Sequence, residues 1–212
     1  MKVFYFNIEA LRDRKVFEQQ LSVMPEGRKQ KVLKYSITAD KLRSLAAGIL
    51  IKFIKKQYGV NSDVEYDKHG KPYFVRGEVK FNISHSGRFV VAAVSDYEVG
   101  IDIQAIKADK HRIAEKNFSK AECTYINEGA DDKARQQRFC EIWTMKEAYL
   151  KNIGLGLRKP LKSFQIVLGQ EPTVKGKSKY AFKQFKMNNK YVVSVCSHKK
   201  DQDLLIQEVG LE

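Results

Sequence analysis

The sequence contains no apolar run near the ~20 residues that a membrane-spanning helix requires, so no membrane is expected among its partners. Its first residues, Met1-Lys2-Val3-Phe4-Tyr5-Phe6, form too short an apolar stretch for a secretory leader, and a cytoplasmic protein is expected. Cysteine is scarce. Cys123, Cys140 and Cys196 are odd in number, far apart and never arranged as CxxC, so neither a disulfide framework nor a zinc site is indicated, and buried, reduced thiols are expected. Acidic residues are in deficit too, 25 against 39 Lys and Arg, and the resulting net charge of +14 implies an anionic partner. Nucleic acid is one such partner. Yet the chain carries no recognisable nucleic-acid motif, and its aromatic residues follow strand and helix periodicity instead of punctuating a basic stripe as stacking platforms do. A basic nucleic-acid-binding module without catalysis is therefore the rival reading, and it rests on charge alone. With 212 residues, 43% of them hydrophobic, the chain can bury a core as one large domain or two small, intimately packed ones.

The stretch Val99-Gly100-Ile101-Asp102-Ile103-Gln104 sets a carboxylate inside apolar text. Read as a strand, Val99, Ile101 and Ile103 face one side, and Gly100, Asp102 and Gln104 face the other. A buried carboxylate needs a hydrogen-bonding partner, a counter-charge or a metal. Gly100 leaves room for close approach to the backbone. The bland alternative is a strand-end Asp paired with one of the many lysines.

The second constellation is Trp143-Thr144-Met145-Lys146-Glu147-Ala148-Tyr149-Leu150-Lys151, the end of a long helix that begins near Asp132. At about 3.6 residues per turn, Phe139, Trp143, Glu147 and Leu150 fall close to one face, which puts Glu147 on the stripe expected to meet the core. Lys151, one turn on, offers at least an i, i+4 ion pair worth roughly 0.2–0.5 kcal/mol. A solvated helix pair is the plain alternative. A carboxylate in the company of Phe139, Trp143 and Leu150 argues against it.

Elsewhere the pattern predicts a strand over 2–6, helix over 8–21 and a short helix opened by Pro25, on which Arg28, Lys31 and Lys34 share a face. Leu42, Leu45, Ala46, Ile49 and Phe53 mark an amphipathic helix over 40–58 with Gly59 as its stop, and Arg43 and Ser44 near its start are placed to meet an anion together with the helix N-terminus. After a strand over 63–66, His69-Gly70-Lys71-Pro72 reads as a turn. A strand over 81–84 is expected to break into Ser84-His85-Ser86-Gly87, a small, donor-rich loop suited to phosphate. Ser119-Lys120-Ala121-Glu122 is a capping box, 127–132 an acidic break, and strands are expected over 163–168, 180–185, 191–197 and 204–209. Arg88-Phe89-Val90-Val91-Ala92-Ala93-Val94-Ser95 is echoed by Lys190-Tyr191-Val192-Val193-Ser194-Val195-Cys196-Ser197, a faint internal repeat.

Gly100-Ile101-Asp102, followed some forty residues on by Trp143-Thr144-x-Lys146-Glu147-Ala148-x-x-x-Lys151, resembles the signature of the 4'-phosphopantetheinyl transferases of the surfactin-synthetase-activating type, and the likeness extends to Phe81-Asn82-Ile83-Ser84-His85-Ser86-Gly87 and His69-Gly70-Lys71-Pro72. The resemblance implies two similar α+β subdomains related by a pseudo-twofold axis, with the active site in the cleft between them. The division is expected near 104–107, giving an N-terminal subdomain of 1–104 with most coenzyme A contacts and a C-terminal one of 105–212 carrying the signature helix. It implies transfer of the 4'-phosphopantetheine arm from coenzyme A to a serine of an apo acyl or peptidyl carrier protein, with Mg²⁺ as cofactor, no nucleic acid, and a monomeric enzyme.

By the same resemblance Arg28, Lys31, Arg43, Ser44, Lys71, Ser84, His85, Ser86, Asp102 and Lys151 bind the coenzyme, with the turn holding Lys71 lying against the adenine. Asp102 and Glu147 are the expected metal ligands. Glu147 is also a candidate base for the serine proton, Lys151 stabilises charge on the pyrophosphate, and Lys146 helps position it. Gln104 stands where many members carry a third acidic ligand. Its amide oxygen can still ligate a cation, but it brings no charge. The segment between the two signature halves is the expected flap that meets the carrier.

Overall fold

The computed structural model describes residues 1–107, 111–198 and 203–211. Along the first half run β1 (Lys2–Asn7), α1 (Arg14–Ser22), α2 (Glu26–Leu33), α3 (Thr38–Tyr58), β2 (Val64–Tyr66), β3 (Pro72–Phe74), β4 (Lys80–Ser86) and β5 (Phe89–Ser95). The second half follows with β6 (Gly100–Ala105), α4 (His111–Asn117), α5 (Lys120–Asn127), α6 (Asp132–Asn152), β7 (Ile166–Val167), β8 (Thr173–Val174), β9 (Tyr180–Met187), β10 (Tyr191–His198) and β11 (Leu205–Glu208).

Local chemistry explains most of these boundaries. The helical text over 8–21 splits into a 3-10 turn, Ile8–Leu11, and α1, because the Asp13 carboxylate accepts from the backbone N–H groups of Lys15 and Val16 and so starts a new helix in mid-run. Gly59 ends α3 in the left-handed region at φ 63°, the usual resting place of a helix-stopping glycine. Ser119 and Glu122 close the expected capping box on α5, and Asp131 caps α6 through the N–H of Ala134. The strand expected over 163–168 shrinks to Ile166–Val167, since a 3-10 turn at Leu161–Ser163 takes up its start.

Two sheets form, ordered β11-β1-β5-β4 and β6-β10-β9. Without β11, which lies parallel to β1, the first order matches the second strand for strand, each with antiparallel neighbours, a long helix and a small separate hairpin, β2-β3 or β7-β8. The halves are thus similar α+β subdomains in a pseudo-twofold arrangement. The repeat seen in the sequence falls on β5 and β10, the strands central to that shared order. One core lies between α3 and the first sheet, around Phe4, Leu45, Leu50 and Phe81, and a second lies between α6 and the second sheet, around Phe139, Ile142, Tyr149 and Val192. A third joins the sheets, with Val3, Phe89 and Val91 against Ile101, Ile103, Val193 and Val195. Every residue of β5 is buried because both its faces are covered.

The sheet edges are sewn together by side chains. From β4, Asn82 Oδ1, Ser84 Oγ and Ser86 Oγ accept the β6 backbone N–H groups of Ile101 (2.9 Å), Ile103 (3.4 Å) and Ala105 (3.0 Å). Every second residue of one strand meets every second residue of the other, so an edge that would expose unpaired donors is satisfied internally. β6 hydrogen-bonds into the second sheet from Gly100 onward. We therefore propose the division between 95 and 100 in place of 104–107, with β11 returning to the first half.

A candidate active site between the halves

The site starts from Gly100. A Cβ there would stand 2.0 Å from the Ala148 carbonyl oxygen and 2.4 Å from the Asn152 amide nitrogen, so only glycine lets α6 lie this close to β6. That approach brings Asp102, on the same strand face as Gly100, beneath the last two turns of α6. Ile101 and Ile103 turn the other way into the core between the sheets, as strand alternation requires.

Asp102 is buried, and its Oδ1 accepts from the Lys151 ammonium at 2.6 Å and the Ser84 hydroxyl at 2.8 Å. Lys151 also donates to Ser84 Oγ at 2.9 Å and to the Ile101 carbonyl at 3.1 Å. The simple i, i+4 partnership expected between Glu147 and Lys151 is therefore replaced by one across the helix–strand interface. Glu147 is half-buried, and its Oε1 is enclosed without a hydrogen-bond donor. Burial pushes its carboxyl above the ordinary range, the neighbouring Asp102 charge pushes further in the same direction, and Lys151 opposes both. Gln104 follows on the same strand face, half-buried, with its Nε2 donating weakly to the next carbonyl, Ala105 O, at 3.4 Å.

From the first half, α3 contributes Arg43 and Ser44. The Arg43 guanidinium donates to Gly87 O at 3.0 Å and pairs with Asp40, while its Nε and the Ser44 hydroxyl oxygen are enclosed without partners. His85 on β4, although exposed, belongs to the same group: desolvation by its surroundings lowers its imidazole pKa, and the charges of Arg43 and Lys151 push in that direction too. Arg28 and Lys31 form another group. Both donate to the Tyr66 hydroxyl, at 3.4 and 3.3 Å, and they line a cavity of about 580 Å³ between α2, α3 and β2 with Met24, Ile51, Lys52 and Lys55. Lys71 leaves its turn to reach Glu98 Oε2 at 2.7 Å and the carbonyl of Asn152, at the end of α6, at 3.1 Å.

Two expectations need correcting. Residues 84–86 are strand, not loop; the hydroxyl oxygens of Ser84 and Ser86 accept from β6, and Ser84 also meets Asp102 and Lys151. Polar residues at every second position, Asn82, Ser84 and Ser86, were the sequence signal for that edge role. Lys146 does not face the cleft. Its side chain is fully buried, its ammonium sits 2.9 Å from Glu122 Oε1, and it donates to Leu161 O at 2.9 Å and Phe164 O at 2.7 Å. It fastens α6 to α5 and to the segment leading into β7. The sequence reading named Thr144 in the signature without giving it a role; its hydroxyl meets Ser194 Oγ at 2.7 Å under α6. Across the sheet Asp102 pairs with Ser194 and Ser194 with Gln184, a polar row. At the matching place in the first sheet stands Phe4, Ala92 and Ile83. The fold is repeated; this polar row is confined to one copy.

Among the described residues no group of three His, Cys, Asp or Glu side chains is placed to hold a metal ion. The cleft instead offers two carboxylates and an amide. An enclosed Glu147 oxygen with no donor, beside a second carboxylate, is the environment a hard divalent cation relieves, so these residues fit Mg²⁺ with further oxygens from a substrate and water.

Residues 98–196 match the 4'-phosphopantetheinyl transferase superfamily, and residues 12–97 match the family described as 4'-phosphopantetheinyl transferase, N-terminal. The chain is 31% identical to the 4'-phosphopantetheinyl transferase Sfp of Bacillus subtilis (strain 168), over 95% of this chain and 94% of that protein. It is 37% identical to the 4'-phosphopantetheinyl transferase gsp of Aneurinibacillus migulanus over 76% of this chain and 69% of that protein, and 33% identical to psf-1 of Bacillus pumilus over 81% and 76%.

Proposed function

Because the chain belongs to the 4'-phosphopantetheinyl transferase superfamily, we propose that it transfers the 4'-phosphopantetheine arm of coenzyme A to a serine hydroxyl of an apo carrier protein. The observation that carries this reading is the meeting of Asp102, Glu147 and Lys151 in one cleft, with Ser84 reaching in from the other half. The serine oxygen attacks the phosphorus that bears the arm. A new oxygen–phosphorus bond forms, the bond from that phosphorus to the bridging oxygen breaks, and adenosine 3',5'-bisphosphate leaves.

Glu147 would take the serine proton at its carboxylate, directly or through a water, a role supported by the raised pKa of this carboxyl in the metal-free protein. Asp102 and Glu147 would hold Mg²⁺, with Gln104 beside them, and the cation when bound neutralises charge on the diphosphate. Arg43, Ser44 and His85 of the first half would bind the nucleotide end, a role supported for Arg43 and His85 by their nearness to one another and to Lys151, with Arg28 and Lys31 supplying cations from their own cavity. Of the expected flap, α5 is held to the body through Glu122, so its role toward a carrier rests on resemblance. Among the described residues no helix is long and apolar enough to cross a membrane.

The test is mass spectrometry of candidate apo carriers incubated with the protein, coenzyme A and Mg²⁺. Addition of the arm to a serine is expected, together with its loss in excess chelator. Full transfer in chelator would remove the metal assignment. Tight, steeply salt-dependent RNA binding that coenzyme A cannot displace would instead favour the nucleic-acid reading.

A second outcome concerns substrate binding. Removing charge at Arg28, Lys31 or His85 is expected to raise KM for coenzyme A more than it lowers kcat, because these residues would hold a part of the substrate that does not react. The comparison with 3'-dephospho-coenzyme A decides it: equal penalties on both substrates would show that these side chains do not read the 3'-phosphate.

A further inference from the structure

Lys151 has spent its hydrogen-bonding capacity inside the protein. An ammonium has three hydrogens, and three acceptors surround this one: Asp102 Oδ1 at 2.6 Å, Ser84 Oγ at 2.9 Å and Ile101 O at 3.1 Å. No donor is left for a phosphate oxygen. The shortest of the three contacts is to Asp102, one of the two carboxylates assigned above to the cation, and Lys151 and a divalent cation are therefore rivals for it. Like charges at such range repel strongly in a partly enclosed cleft.

Resting on the function proposed above, we propose that Lys151 is an exchangeable counter-ion: a divalent cation arriving at Asp102 and Glu147 displaces the ammonium, and the freed N–H turns to the substrate diphosphate. The side chain is suited to this, since a lysine is a point charge on a flexible stem and its head can swing without moving the helix. Ser84 can retain its own donation to Asp102 Oδ1 during the exchange and so keeps the carboxylate in place. Cation binding and diphosphate binding then favour each other through one residue, and such coupling is reciprocal. Lys71 provides the contrast. Its ammonium is tied to Glu98 and the Asn152 carbonyl, not to Asp102.

The experiment is a Mn²⁺ titration of the free protein by calorimetry, comparing native, Lys151→Met and Lys71→Met. Lys151→Met is expected to bind Mn²⁺ about tenfold tighter, the scale of one charge-assisted competitor removed, and Lys71→Met to change much less. Equal gains in both variants would reduce the effect to general charge, and no gain in Lys151→Met, or no Mn²⁺ binding to any form, would likewise overturn the proposal. A measurement on the native chain stands beside it in case the variant does not fold. Acetylation of Lys151, followed by peptide mass spectrometry, is expected to be slow in the free protein, faster with saturating Mg²⁺ and slow again once pyrophosphate is added. A labelling rate indifferent to Mg²⁺ would sink the exchange. Neither readout requires a carrier, so failure of arm transfer on every carrier tested would leave this result to be judged separately.

Discussion

Glu147→Gln is expected to lower kcat by ~10²–10⁴, the usual worth of a general base, while the melting temperature stays at or above the native value. The amide keeps the shape of the side chain, yet it removes a carboxylate that is enclosed with an unpartnered oxygen beside a second carboxylate. Deleting that charge relieves burial and repulsion together, so the fold has no cause to weaken. The pH profile offers an independent reading. A ligand whose pKa is raised in the metal-free protein holds its proton to a higher pH, so Mg²⁺ binding to the free native protein should weaken at a higher pH than it would for an exposed glutamate, and Glu147→Gln should lessen that dependence. Thermal melts and rates at saturating coenzyme A and carrier check the first part. Near-native kcat would reduce Glu147 to a bystander at the edge of the helix.

Glu122→Ala should cost about 3–5 kcal/mol of stability, the typical penalty for breaking a buried ion pair from one side. Its carboxylate holds the Lys146 ammonium at 2.9 Å, the backbone N–H of Ile166 at 2.7 Å and that of Ser119 at 2.7 Å, with almost none of its surface exposed. Burial already pulls the Lys146 pKa downward, and Glu122 is the main opposing influence. Without it the lysine would be left neutral or uncompensated. Lys146→Met should lose stability similarly, and the double replacement Glu122→Leu with Lys146→Met should recover only the part owed to an unpaired buried charge, because the backbone N–H groups of Ile166 and Ser119 then lose their acceptor. Denaturant unfolding measures the losses. The fraction still folded should transfer the arm at close to the native rate. A Lys146→Met protein that melts normally but has lost kcat would return this lysine to the catalytic group.

The sequence was most legible where the argument is local. Alternation across 99–104 assigned Asp102 and Gln104 to one strand face, and helical spacing identified α6 and the stripe carrying Glu147. The pairing of Asp102 and Glu147 as expected ligands came from the family resemblance, which spacing alone does not supply. The serines of β4 were misread because a short polar run looks the same in a phosphate loop and in a strand whose side chains seal another strand. Only the presence of β6 alongside distinguishes the two. Tyr66, on which Arg28 and Lys31 converge, lies on a different element from either cation, and no periodicity links them.

By itself the sequence determined most of the elements, since each depends on residues within a turn or two of one another, and it showed the repeat that falls on β5 and β10 as a likeness between two distant segments. Only the tertiary structure decided what each charged group does. Lys146 and Lys151 are five residues apart on one helix, hence roughly 140° apart around its axis, and in sequence they are equally good cations for a diphosphate. One turns toward α5 and is fixed by Glu122, and the other turns toward β6 and meets Asp102. The neighbours that settle this are 24 and 49 residues away, brought in by the packing of α6 on α5 and on a strand whose Gly100 admits it. A charge takes its role from its partner, and in this fold the deciding partners lie far along the chain.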